Sequence, residues 1–147
     1  MSLIADPFHG LPHRPPFVFV REIRAIEAGR SADCETSFDP ADAMFEGHFP
    51  GNALVPGVIL TEALAQTAGI AAASGYPAGE KPMFLLSGIR SMKFLRPVRP
   101  GEQIYLRAEK LAEVDGLIQF AVEAKVDDKP AAQGHLVLSI APTVNCI

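Results

Sequence analysis

Gly47-His48-Phe49-Pro50-Gly51-Asn52-Ala53-Leu54-Val55-Pro56-Gly57-Val58-Ile59-Leu60-Thr61-Glu62-Ala63-Leu64-Ala65-Gln66 joins a turn rich in glycine and proline to an apolar helix. Pro56 suits a first helical turn, where no backbone donor is needed, and good helix formers follow it. Gly75 and Pro77 stop the pattern, which predicts a helix of roughly five turns, about 27 Å long. Its interior polar residues are Thr61, Glu62, Gln66 and Thr67. A helix that is apolar on nearly every face is a buried one. Its many small residues, from Ala63 to Ala73, let other backbone approach closely.

The flanks read as strands. Leu11-Pro12-His13-Arg14-Pro15-Pro16 is stiff and short of amide donors, a lead-in rather than a regular element. A β-rich run follows from Phe17 to about Ile26, then a turn at Glu27–Arg30, then a second strand near Ser31–Phe38. Asp39-Pro40-Ala41-Asp42 starts a turn or a single helical turn, with Asp39 as its cap. After the helix, Met83–Leu95 is β-compatible, and Asp115-Gly116 and Asp127–Pro130 mark turns between three further strands. Ile118, Phe120, Val122, Ala124 and Val126 alternate on one side of their strand. The expected fold class is α+β: one antiparallel sheet wrapped around a long central helix, as one domain spanning residues 1–147.

Composition removes several function classes. The 147 residues carry a net charge of −4 with no block of like charge, so no nucleic-acid partner is expected. The longest apolar run is broken by Glu62 and Gln66, which excludes membrane insertion by a spanning helix. The N-terminus lacks the pattern of a signal peptide, so a cytoplasmic location is expected. Cys34 and Cys146 are far apart, and no disulfide, metal or redox cofactor is expected. The 48% hydrophobic content points to a strongly buried element and an oligomer interface.

Chemistry concentrates in the quoted stretch. Glu62 is a lone carboxylate inside an apolar helix, and no Lys or Arg occurs between Arg30 and Lys81 to pair with it. Burial disfavours its ionised form and suits it to act as a general acid. His48 in the preceding turn is suited to act as a general base near neutral pH. The helix start exposes the backbone N–H groups of Gly57 and Val58, which can bind an acyl carbonyl and stabilise an enolate. Gly57, without a Cβ, lets that carbonyl come close. Catalytic turns often store backbone strain, which is expected around His48-Phe49-Pro50. His9, His13 and His135 show no ligand spacing and read as structural or surface residues.

The pattern G-H-F-P-G-x4-P-G-x4-E-A-x-A-Q resembles the signature of FabZ-type β-hydroxyacyl-(acyl carrier protein) dehydratases. Leu11-Pro12-His13-Arg14 with Pro16-Phe17, Lys93-Phe94 with Arg96-Pro97-Val98, Pro100-Gly101-Glu102-Gln103 and Asp128-Lys129-Pro130 resemble further family segments. The resemblance implies the hot-dog fold, as a homodimer or trimer of dimers with the site at the dimer interface. It implies dehydration of β-hydroxyacyl thioesters, carried by acyl carrier protein or CoA, to trans-2-enoyl thioesters. His48 would take the α-proton, and Glu62 of the other subunit would assist loss of the hydroxyl. Gly57 would supply the carbonyl-binding amide, with Val58 and Phe49 as further substrate contacts. Gln66, one turn beyond Glu62, would orient that carboxyl or a water. The basic run Arg90, Lys93, Arg96 and Arg99 would dock an acidic carrier protein. Pro15, Arg21 and Arg90 depart from the usual pattern. The alternatives are a hot-dog acyl thioesterase and a non-catalytic acyl-binding subunit.

Overall fold

Hydrophobic alternation and turn chemistry set the sheet. In the computed structural model, which describes residues 8–141, the strands are β1 (Glu22–Glu27), β2 (Ser31–Thr36), β3 (Phe84–Phe94), β4 (Ile104–Val114), β5 (Leu117–Val126) and β6 (Lys129–Ile140). Cys146 lies outside the described residues. The strands form one antiparallel sheet in the order β1-β2-β4-β5-β6-β3. Asp115 and Gly116 have φ of 53° and 78°, and Asp127 and Asp128 have φ of 50° and 61°. Two successive left-handed residues match the right-handed twist of the flanking strands, so both hairpins are tight.

Between β2 and β3 come two helices, α1 (Met44–Gly47) and α2 (Gly57–Ala73). The sheet curls around α2, which packs on β2, β3, β4, β5 and β6. Leu60, Leu64, Ala68 and Ala71 of α2 meet Leu106, Phe120, Leu136 and Leu138 in one continuous core. Burying a side chain such as Leu64 stabilises the fold by about 1.5–3 kcal/mol. Ile118, Phe120, Val122, Ala124 and Val126 all face that core, as their alternation requires.

β2 ends at Thr36 rather than near Phe38, and β6 begins at Lys129, inside the expected turn Asp127–Pro130. Three further boundaries differ from the sequence expectation for reasons their hydrogen bonds show. β1 begins at Glu22 rather than Phe17, because the Gln66 side chain takes the bonds a ladder would use. Its Oε1 accepts from the Phe19 N–H at 2.9 Å, and its Nε2 donates to the Phe17 carbonyl at 3.0 Å. Asp39 accepts from the Ala41 N–H in a turn of its own, while Asp42 accepts from the Met44 N–H and leads into α1. Pro56 is the residue just before α2 rather than within its first turn; its carbonyl accepts from Ile59 and Leu60.

The two sheet edges are unlike. β1 is short, has a register shift between Ile23 and Ala25, and carries Glu22, Arg24 and Glu27. β3 spans 11 residues and exposes Leu85, Leu86, Ile89 and Phe94.

Candidate active site

Four polar side chains interrupt α2, and three are satisfied by the fold itself. Thr61 and Thr67 are buried and donate back to the Gly57 and Ala63 carbonyls at 2.8 and 2.9 Å. Gln66, 1% exposed, holds the lead-in backbone at Phe17 and Phe19. Glu62 is the exception. Its side chain is 20% exposed and opens into a cleft of about 100 Å³ between the lead-in, α2 and β3. The cleft is lined by Leu11, His13, Glu62, Gln66, Phe84 and Leu86, among others.

Glu62 Oε2 accepts from Gln66 Nε2 at 2.9 Å. Gln66 cannot turn its amide around, since its oxygen is fixed by the Phe19 N–H. Glu62 Oε2 is therefore an acceptor, and Glu62 Oε1 has no partner among the described residues. The second group at Oε2 is His13, whose Nε2 stands 3.4 Å away. The absence of a cation between Arg30 and Lys81 hid this partner, because the lead-in delivers it from 49 residues upstream. His13 Nδ1 is buried without a hydrogen-bond partner among the described residues, which costs about 1–3 kcal/mol.

His48 follows α1 and donates its backbone N–H to the Met44 carbonyl at 3.0 Å. Phe49 and Asn52 close a turn with Pro50 and Gly51 at its centre, and Gly51 has the positive φ, 78°, that such a turn demands. The expected strain sits at Phe49, whose φ is 65°, a left-handed conformation worth on the order of 1–3 kcal/mol for a bulky residue. Its half-exposed ring lies 4.3 Å from the His48 ring. The Nδ1 of His48 is 2.8 Å from the Leu54 carbonyl. A carbonyl only accepts, so Nδ1 carries a proton, and in the neutral ring Nε2 presents a bare lone pair.

The first amides of α2 complete the set. The N–H groups of Gly57 and Val58 have no partner among the described residues, and Val58 is exposed. Gly57 also sits in a close contact the sequence did not reveal. A Cβ there would stand 3.1 Å from the Phe94 ring, so β3 covers that side of the helix start. Among the described residues no hydrogen bond or ion pair joins His48 to Glu62; each is held by its own neighbours. The basic run divides. Lys93 lines a groove on the outer face of the sheet beside Arg107 and His135, with Arg90 paired in register to His135. Arg99 instead bonds Asn52 at 2.9 Å, beside the His48 turn, and Arg96 is exposed.

Elsewhere the ionisable groups are structural. Burial pushes the Cys34 thiol up to about 12, against a smaller opposing effect of its hydrogen bond with Thr67. The thiol is thus inert near neutral pH.

The chain is similar over most of its length to known dehydratases. The family model described as "ApeI-like: ApeI dehydratase" matches residues 24–135. The 3-hydroxyacyl-[acyl-carrier-protein] dehydratase FabZ of Syntrophotalea carbinolica is 38% identical over 143 residues, 95% of each chain. That of Nitrosospira multiformis is 37% identical over 134 residues, covering 90% of this chain and 92% of its own. Among solved structures, the dehydratase heterocomplex ApeI:P of Xenorhabdus doucetiae matches with a TM-score of 0.76 at 18% identity, covering 97% of this chain and 94% of that one. The PaaI protein of Escherichia coli matches with a TM-score of 0.64 at 16% identity, over 82% and 79% of the two chains. These structural matches establish the hot-dog fold, and no helix among the described residues is long and apolar enough to cross a membrane. The chain belongs to the FabZ-type 3-hydroxyacyl dehydratases, hydro-lyases of the hot-dog fold.

Proposed function

We propose that His48 of one subunit and Glu62 of another dehydrate a β-hydroxyacyl thioester at a site shared across an interface. The observation that carries this reading is a pair of half-finished groups. His48 is pinned through Nδ1 with Nε2 bare, and Glu62 is pinned through Oε2 with Oε1 free. Nε2 takes the α-proton, the carbon–carbon double bond forms, and the bond to the β-oxygen breaks as Glu62 Oε1 gives that oxygen a proton. Water leaves, and a trans-2-enoyl thioester remains. The N–H groups of Gly57 and Val58, at the positive end of α2, hold the thioester carbonyl while charge develops on it. The apolar cleft running from Glu62 past Leu11, Phe84 and Leu86 receives the acyl chain.

The exposed β3 edge is the natural seam for a homodimer, because an edge so long and so apolar invites a second strand. Pairing there brings a second copy of the His48 turn toward the first copy's α2. The carrier is acyl carrier protein, with Arg99 best sited to meet it, since Arg99 flanks the turn bearing His48. The reaction takes place in the cytoplasm, on one domain, without metal or redox cofactor. Incubation with crotonyl and β-hydroxybutyryl thioesters tests the chemistry. Interconversion of the two without free thiol is the expected result; release of thiol would instead identify a thioesterase, and neither would leave a binding subunit.

A further inference from the structure

The lead-in segment carries more hydrogen bonding than its length requires. Gln66 fixes the backbone at Phe17 and Phe19, and the Arg14 guanidinium donates to the carbonyls of Leu11 and His13 at 2.8 and 2.7 Å. Arg14 also lies over the Phe8 ring, 4.5 Å from its centre. These contacts hold residues 11–17 against α2, and the side chain they deliver into the cleft is His13, stacked on Phe17. His13 and Glu62 are the titratable side chains of that cleft among the described residues. Arg14 is turned away to the backbone.

We propose that His13 is a positioning residue for Glu62, fixing which carboxyl oxygen is free to carry the catalytic proton. The inference rests on the acid role of Glu62 proposed above. Gln66 already makes Oε2 an acceptor, and His13 Nε2 approaches the same oxygen at 3.4 Å. With its proton on Nε2, the imidazole fills the second lone pair of Oε2. Oε1 is then the oxygen left to hold a proton and face the β-hydroxyl. After that proton departs, the two donors on Oε2 stabilise the carboxylate. The separation is longer than a formed N–H···O bond, as catalytic hydrogen bonds often are before substrate binds. A merely space-filling role does not account for an imidazole here. Leucine or phenylalanine would fill the volume without leaving a buried Nδ1 unpaired, a state that native proteins avoid.

Two variants of the full-length protein test this. His13→Leu keeps bulk and deletes the donor, whereas His13→Gln restores an N–H at the position of Nε2. His13→Leu is expected to lower kcat about 10- to 100-fold while KM stays within about threefold, and His13→Gln to recover kcat to within about fivefold of the native value. A kcat for His13→Leu within about twofold of native, or an equal loss in both variants, would overturn the proposal. If the leucine variant does not fold, the ¹⁵N imidazole spectrum of the native protein decides: His13 protonated on Nε2 supports it, and protonated on Nδ1 sinks it. An inactive Glu62→Gln beside an unimpaired His13→Leu refutes the role of His13 alone. A fully active Glu62→Gln refutes both readings.

Discussion

The two edges of the sheet solve the same problem in opposite ways. Every edge strand offers unpaired backbone groups to any passing chain, and β1 discourages that with brevity, a bulge and alternating charge. β3 does none of this. It is almost twice as long, its Leu85, Leu86 and Ile89 are exposed, and Phe94 sits over the start of α2. One edge is closed off and the other is left open. The open edge belongs to the strand that packs on Gly57 and lines the cleft of Glu62. Assembly and catalysis are thereby expected to be one property rather than two.

The largest expected effect breaks that union by separating its halves. His48→Ala and Glu62→Gln are each expected to lower activity by at least about 100-fold. Co-expressing the two variants should restore roughly a quarter of native activity, since half of the randomly paired dimers would hold one intact site of two. Mixed dimers, verified by mass spectrometry, that remain inactive would show that both groups act within one protomer. A smaller but more pointed test replaces one apolar side chain on each edge. Ile89→Asp on β3 is expected to yield a monomer by light scattering with activity reduced more than about 50-fold, whereas Ile26→Asp on β1 should keep assembly and activity within about twofold. Equal behaviour of the two variants would remove the distinction between the edges.

Much of this was legible in the sequence because it rests on local chemistry. An apolar helix interrupted by Glu62 and Gln66, turns at Asp115-Gly116 and within Asp127–Pro130 (of which the strand keeps Lys129 and Pro130), and the alternation from Ile118 to Val126 are all short-range signals. The strain expected around His48-Phe49-Pro50 falls at Phe49, although a residue before proline ordinarily takes an extended conformation. What escaped were contacts whose partners are distant in the chain. His13 meets Glu62 across 49 residues, and neither residue type nor spacing announces it. Phe94 crowds the space a Cβ at Gly57 would need, yet they are 37 residues apart. Gln66 was expected to orient Glu62 and does bond it, but its bonds to Phe17 and Phe19 also moved the start of β1. The basic run from Arg90 to Arg99 read as one patch along the chain. The pleat and the turn after β3 divide it between the sheet's outer face and the His48 turn.

The smallest expected effect concerns how the β1 edge is kept closed. Glu35 of β2 pairs with Arg24 across the bulge of β1, and this guanidinium holds the Glu35 carboxyl below its ordinary value of 4.5, against the opposing effect of burial. Glu35 is covered by its neighbours' side chains on the outer face rather than set in the core, so water still screens the pair. A carboxyl whose folded value is lowered binds protons more readily when unfolded. Its contribution is therefore complete above 4.5 and is lost as the pH falls through its folded value. Glu35→Gln is accordingly expected to melt at a lower temperature than the native protein at pH 7, with the gap narrowing as the pH falls below 4.5. A gap independent of pH would assign the effect to packing. Activity at pH 7 should barely change, because β1 lies at the far edge of the sheet from β3. A large loss of activity would show instead that the two edges are coupled through the sheet.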